Sequence, residues 1–412
     1  MKRVVVTGLG IVSPLGHSVH ETWEAIKAGR SGIGPITLYA TDGYNVRIAA
    51  EVKGWDPTAH MSARDARRRD RYQQFIVKAA QEAVVQAGFA VDERQPERSA
   101  VIVGSAVGGV SSYYSEARTL FETGDIRRIT PFGIPMLMVN GGSDIVSIET
   151  GATGPSHVPV SACATGADCI GHAFDLIRMG RVDQVLAGAG EAPIFPMGVA
   201  AFDRVGAVSR LNDDPERASR PFDKNRTGLV FGEGAGVLVL EELEHARARG
   251  ASILAEIVGY GTTSDAFHLT APHPEGLGAS KALRLALDNA RLRPEDIHYI
   301  NAHGTATDLN DPMETAAVKR VFGEHAYNVP MSSTKSMTGH CMGATAAMEA
   351  AFAVLALRDQ VAPPTTNLTE PDPVCDLDYI PNTARPLAMQ HIMSNSFGFG
   401  GHNVSLIISA FR

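Results

Sequence analysis

Short β-branched runs alternate with helix-period segments along the whole chain, and this alternation narrows the possible folds more than any other feature. Residues 3–6, 100–104, 158–161, 184–186, 237–240, 253–258 and 298–300 read as buried strands, with a last strand over 404–408. Between them lie segments such as 75–87, where Phe75, Ile76, Ala79, Ala80, Ala83, Val84 and Ala87 form one apolar helical face. Continuous apolar strands separated by helices predict α/β layers with sheets covered on both faces. At 412 residues the chain is long enough to build several dry cores. With 44% hydrophobic and 20% charged residues it is neither a disordered nor a fibrous sequence.

The remaining composition removes whole classes of function. A net charge of −8 argues against general nucleic-acid binding. No apolar run approaches the roughly 18 residues of a membrane span. The four cysteines, Cys163, Cys169, Cys341 and Cys375, have no CxxC spacing, which disfavours zinc ribbons and disulfide scaffolds. A reducing, cytoplasmic setting follows as the expectation.

A helix over 241–249, acidic at its start and arginine-rich at its end, stops at Gly250. It predicts two units, 1–250 and 251–412. The halves share a pattern: Val158-Pro159-Val160-Ser161 and Val329-Pro330-Met331-Ser332 each lead through a small-residue turn into a helix. That similarity suggests a duplication.

The sharpest candidate for chemistry is Ser161-Ala162-Cys163-Ala164-Thr165-Gly166-Ala167, where a tight turn carries Cys163 to the start of a helix. Free N–H groups and the positive end of the helix dipole favour a thiolate there. The alternative is a buried structural cysteine, the commoner fate of a free thiol and the reading for the other three. Two histidines stand in comparable strand-to-helix turns, His303 in Asn301-Ala302-His303-Gly304-Thr305 and His340 in Lys335-Ser336-Met337-Thr338-Gly339-His340. Residues just past strand ends line crevices in α/β proteins, so the three side chains can converge. A glycine-rich stretch, Asn395-Ser396-Phe397-Gly398-Phe399-Gly400-Gly401, is either a further wall of that pocket or a turn before the final strand. Gly8-Leu9-Gly10 imitates a dinucleotide loop, but Ser13 and Pro14 break the pattern. Ser332-Ser333-Thr334-Lys335 matches an SxxK motif without the KTG that would complete it.

With these residues assembled, the chain resembles the elongating β-ketoacyl-acyl-carrier-protein synthases of the type II branch over essentially its whole length. The likeness rests on residues 3–10, the cysteine turn, Arg220-Pro221-Phe222-Asp223, 231–236, 301–307, 332–340 and 395–403. It implies a thiolase fold, five α-β-α-β-α layers built from two duplicated βα halves, in a dimer. The dimer is either a homodimer or a heterodimer with a chain-length factor. It implies acyl carrier protein as partner and no cofactor of the enzyme's own, because phosphopantetheine arrives on the carrier. It assigns a triad to Cys163, His303 and His340, and oxyanion donors to the backbone N–H groups of Cys163 and Phe399. Phe399 is also the implied gate. Lys335, paired with Glu349, tunes the site, Thr305 and Thr307 bind the pantetheine arm, and Val107 and Gly133 belong to the acyl pocket. Carrier docking falls on Arg64, Arg67, Arg68, Arg127 and Arg128. The chemistry implied needs no metal, although some relatives hold a monovalent cation near the positions of Asn301, Glu349, Ser394 and Asn395.

The implied activity is decarboxylative condensation of an acyl group with malonyl carrier protein in fatty-acid elongation. The alternative is the ketosynthase subunit of a type II polyketide synthase working beside a chain-length factor. A non-catalytic subunit is disfavoured by the intact Cys163. Departures from the family pattern are Thr227 for Asp, Asp308 for Pro, Ala347 for Gly, Gly206 for a basic residue and Gly133 for a bulky one.

Overall fold

Every residue of the first strand, β1 (Val4–Val12), is buried, as a strand with helices on both faces requires. The structure, a computed structural model, describes residues 1–412. The strands that follow in the main sheet are β2 (Ser99–Gly104), β3 (Gln184–Glu191), β4 (Gly234–Glu242), β5 (Ala255–Ser264), β6 (Tyr299–Asn301), β7 (Met331–Ser332), β8 (His391–Gly398) and β9 (His402–Ser409). Their order is β2-β3-β4-β1-β5-β9-β8-β6-β7. β1 and β5 meet only through Val4, Val5 and Val6 against Ile257, Glu256 and Ala255. Outward from that seam, both sides pair antiparallel, antiparallel, then parallel. β7 then lies parallel to β6, and at the matching place Ser156 bridges in parallel to Val101 of β2.

Helices complete the layers. α1 (Arg71–Ala87) and α2 (Gly141–Thr150) cover the outer face of the first half-sheet, sharing a core with Val101, Val103, Leu186, Val237 and Val239. α3 (Thr165–Arg178) and a later helix, Met342–Asp359, lie between the two half-sheets in the largest core. α4 (Leu277–Ala290) and α5 (Asn310–Phe322) cover the second half-sheet. The helix Met342–Asp359 is α6, and it is buried at every residue from Met342 to Leu357. Its apolar residues run all round, and frequent alanines let both sheets approach. This is the duplicated α-β-α-β-α thiolase arrangement. No helix is long and apolar enough to cross a membrane.

Three expected elements differ. β1 continues beyond residue 6 because Gly8 and Gly10 press on α1. An added Cβ would lie 2.3 Å from the Ala83 carbonyl oxygen and 1.8 Å from that of Ala79. Gly8-Leu9-Gly10 is therefore a packing surface. Residues 158–161 form no strand, and only the Ser156 bridge survives there, because Pro155 and Pro159 remove ladder donors. The helix expected over 241–249 shrinks to Leu243–Ala248, since Glu241 belongs to β4 and its buried carboxylate accepts from Arg249 Nε at 2.7 Å.

Candidate active site

Cys163 sits in a short 3-10 turn, Ala162–Ala164, that feeds α3. Ala162 is left-handed at φ 51°, a strained state that persists only where the surroundings enforce it. Gly398 at the end of β8 supplies that enforcement. A Cβ there would stand 2.6 Å from the Ser161 carbonyl oxygen and 3.1 Å from the Cys163 nitrogen. The sulfur is met by the backbone N–H groups of Phe399 and of Cys163 itself. Of the four cysteines only Cys163 has any exposure.

The electrostatic expectation for this thiol reverses in the fold. Burial pushes it up to about 11, outweighing the two N–H groups and the Lys335 charge that pull it down. The resting group is a thiol, and the helix N-terminus alone does not ionise it.

His303 follows β6. Its own N–H and that of Gly304 both donate to Glu314 of α5 at 2.8 Å, and this fixes the turn. His340 is strapped by two backbone bonds, donating to Val230 at 2.7 Å and accepting from Gly232 at 2.9 Å. Its Nδ1 lies 3.2 Å from Thr345 Oγ1 of α6. The two rings stand edge to face, centroids 5.4 Å apart at 85°. Burial first, and then the Lys335 charge, hold both imidazoles well below their ordinary value, so both are neutral at neutral pH. The Lys335 ammonium is itself buried and donates to Glu349 Oε1 at 2.8 Å.

Cys163, His303, His340, Thr305, Thr307 and Phe399 line one cavity of about 320 Å³. Thr305 and Thr307 share a hydrogen bond of 2.9 Å at its wall. Phe399 stacks on Phe202 at 5.9 Å, and Phe202 meets Phe231 edge-on at 5.1 Å. Three positions noted as departures, Gly206, Thr227 and Asp308, also line this cavity. A larger groove of about 620 Å³, beside Trp23, Lys78 and Arg358, contains none of the expected site residues.

Val107 and Gly133 do not line the cavity within one chain. Gly133 opens the short helix Gly133–Leu137, where an added Cβ would meet only the Thr130 methyl group at 3.7 Å. The five arginines fall on two neighbouring segments, joined where the Arg68 guanidinium lies 4.4 Å over the Phe132 ring. Arg64, Arg67, Arg127 and Arg128 are exposed, Arg127 also pairing with Asp125 at 2.9 Å, while Arg68 is half-buried against Phe132. Glu314 and Phe202 escaped the sequence reading. For Glu314 the sequence carried no clear signal, because Asn310, Asp311 and Thr315 make the same helix start polar.

Asn301 Oδ1 and Glu349 Oε2 are buried oxygens without a protein partner, and Asn395 Oδ1 accepts from Ser405 at 3.0 Å. Oxygen-only donors of this kind fit a hard monovalent cation. No group of three or more His, Cys, Asp or Glu side chains is arranged to hold a metal.

Comparison with known proteins agrees over the full length. The model for the beta-ketoacyl synthase N-terminal domain matches residues 1–246, and that for the C-terminal domain matches 254–369. The chain is 47% identical over 411 residues to 3-oxoacyl-acyl-carrier-protein synthase 2 of Staphylococcus aureus strain COL, covering 100% of this chain and 99% of the relative. It is 46% identical, with the same coverage, to the protein of that name from Synechocystis. A beta-ketoacyl synthase from Burkholderia phymatum superimposes with a TM-score of 0.91 at 40% identity, covering 100% of both chains. A ketosynthase solved with a type II polyketide acyl-carrier protein gives 0.91 at 33% identity, again over 100% of both.

Proposed function

The chain belongs to the beta-ketoacyl synthase family, and on that premise we propose how its residues carry out the condensation. It is a condensing acyltransferase that elongates acyl chains in fatty-acid biosynthesis. The observation that supports the mechanism is the meeting of one accessible thiol, two neutral imidazoles and two backbone N–H groups in a single cavity.

In the first half-reaction Cys163 gives its proton to a neutral imidazole, and its sulfur attacks the acyl thioester carried on phosphopantetheine. The oxyanion takes the N–H groups of Cys163 and Phe399. Collapse expels the pantetheine thiolate, which recovers the proton. In the second, the malonyl C–C bond breaks, carbon dioxide leaves, and the electron pair is held as an enolate by N–H donors of His303 and His340. The enolate carbon attacks the acyl-Cys163 carbonyl, the C–S bond breaks, and the departing Cys163 thiolate takes up a proton from solvent to return to the resting thiol. Each imidazole donor is worth ~3 kcal/mol of barrier. A neutral imidazole suits both tasks, since it can take a proton in the first step and donate a hydrogen bond in the second. Burial, and after it the charge of Lys335 held in place by Glu349, keeps both rings neutral. Asn301, Ser394, Asn395 and Glu349 would hold a monovalent cation behind these turns, where it supplies fixed positive charge.

In this reading acyl carrier protein docks on Arg64, Arg67, Arg68, Arg127 and Arg128, and its phosphopantetheine passes Thr305 and Thr307. The enzyme works as a cytoplasmic dimer built from halves 1–250 and 251–412, with Val107 and Gly133 completing the acyl pocket at the subunit boundary. A polyketide role beside a chain-length factor is the second reading. It is favoured by the departures at the cavity wall and by the solved ketosynthase with its polyketide carrier, but that relative is less similar than the fatty-acid enzymes. The mechanism common to both readings is tested by intact-mass analysis with acyl carrier substrates. Wild type should gain an acyl group and Cys163→Ala should gain none, and an adduct that persists in the variant would overturn the nucleophile assignment.

A further inference from the structure

One buried carboxylate has no part in the chemistry above. Glu191, the last residue of β3, is 0% exposed. Its oxygens accept from the N–H groups of Ala106 at 3.0 Å and Val107 at 3.2 Å, from the Gly343 N–H at 2.9 Å, and from the Ser105 hydroxyl. These donors come from two separate segments: the loop after β2, and the first turn of α6, which begins two residues after His340. The approach is too close for any side chain at Gly343. A Cβ there would lie 2.7 Å from Glu191 Oε2 and 2.9 Å from the Ala106 Cβ.

A fully buried carboxylate costs more than apolar packing of similar volume, so mere filling does not account for it. What it supplies is a fixed distance between two backbones. Met342, between His340 and Gly343, lines the cavity in a left-handed conformation at φ 44°, and such strain lasts only where neighbours enforce it. The Gly343 N–H held by Glu191 is one restraint immediately after that residue.

We propose that Glu191 is a positioning residue for the condensation, its carboxylate fixing His340 and the Met342 wall against the 105–108 loop. The inference rests on Cys163 as nucleophile and His340 as enolate donor. Glu191 also faces the nucleophile electrostatically: burial pushes its own carboxyl up to about 7, and in its charged form it is among the influences that raise the Cys163 thiol.

The test uses the full-length enzyme with Glu191→Gln, Glu191→Asp, Gly343→Ala and Ser105→Ala. Its readouts are condensation kinetics, thermal melting and the rate of Cys163 alkylation against pH. Glu191→Gln should lower kcat about tenfold or more, with the KM for malonyl carrier within about twofold, because one charge-assisted clamp is lost. It should also move the alkylation profile to lower pH. Glu191→Asp keeps the charge but loses the reach, so kcat should fall with the profile unmoved. Gly343→Ala should wedge the clamp apart with the same signature as Glu191→Asp. If Glu191→Gln does not fold, Ser105→Ala applies the same test with one donor removed, and an unchanged kcat there overturns the proposal. Wild-type kcat in Glu191→Gln or Glu191→Asp overturns it as well. So does a lower melting temperature with unchanged kcat per folded enzyme and an unmoved thiol profile, which would mark Glu191 as structural only. Absence of an adduct on wild-type Cys163 would instead overturn the underlying mechanism, so the two failures are distinguishable.

Discussion

Replacing Lys335 by methionine should destabilise the enzyme in a way that depends on pH. Lys335 Nζ and Glu349 Oε1 lie 2.8 Å apart with both side chains 1% exposed. Without the ammonium, Glu349 keeps only the Thr334 hydroxyl at 3.1 Å, because its second oxygen has no protein partner. Breaking one side of such a buried pair costs about 3–5 kcal/mol, a large share of a total stability near 5–15 kcal/mol. Burial already raises the Glu349 carboxyl, and the Lys335 charge is the main influence opposing it. In Lys335→Met the folded-state value therefore rises further, and the folded protein binds a proton that the unfolded chain releases near its ordinary ~4.3. Because Glu349 is already raised in wild type, the variant's extra penalty grows as pH rises from the wild-type value to the further-raised one, then stays constant. Chemical denaturation of wild type and variant should thus show a larger deficit at about pH 8 than at about pH 5. The double variant Lys335→Met/Glu349→Leu should be more stable than Lys335→Met at both pH values, because the buried carboxylate left without its ammonium is gone. A deficit below about 1 kcal/mol, or one identical at both pH values, would refute the account.

Alkylation of Cys163 by iodoacetamide should accelerate about tenfold per pH unit between about pH 7 and 10, because burial raises the thiol to about 11, and a plateau near pH 8 would contradict it. Arg67→Glu/Arg68→Glu should raise the KM for carrier-bound substrate and flatten its salt dependence, with kcat little changed, since exposed charges steer over a Debye length of about 8 Å. An unchanged KM at low salt would remove this face from docking. Gly133→Phe should spare short acyl groups and penalise long ones if position 133 closes the acyl pocket at the subunit boundary, since an aromatic ring fills roughly 150–250 Å² of contact surface. Equal loss at every chain length would mean a damaged interface, and no loss would place Gly133 outside the pocket.

The legible parts of this molecule are those whose cause is local. Cys163 and His303 each follow the end of a strand or edge segment in a small-residue turn, whereas His340 follows the short helix Lys335–Thr338 that comes after β7, and all three meet Phe399 in one cavity. Strand ends were less legible where the cause lies in a partner element. Gly8 and Gly10 look like a stop in β1 until the carbonyls of α1 are seen against them. The prolines around 158–161 had the opposite effect, since an apolar run read as a strand lacked the donors to be one. The thiol shows most clearly where sequence reasoning ends. A cysteine at a helix N-terminus carries every local mark of a thiolate, and those marks do act on Cys163, but the enclosing layers remove more water than two N–H groups and Lys335 replace. In the proposed mechanism ionisation is therefore coupled to the reaction, with a neutral imidazole taking the proton as the thioester arrives. That coupling needs both histidines uncharged beforehand, which is what burial and the Lys335 charge together provide.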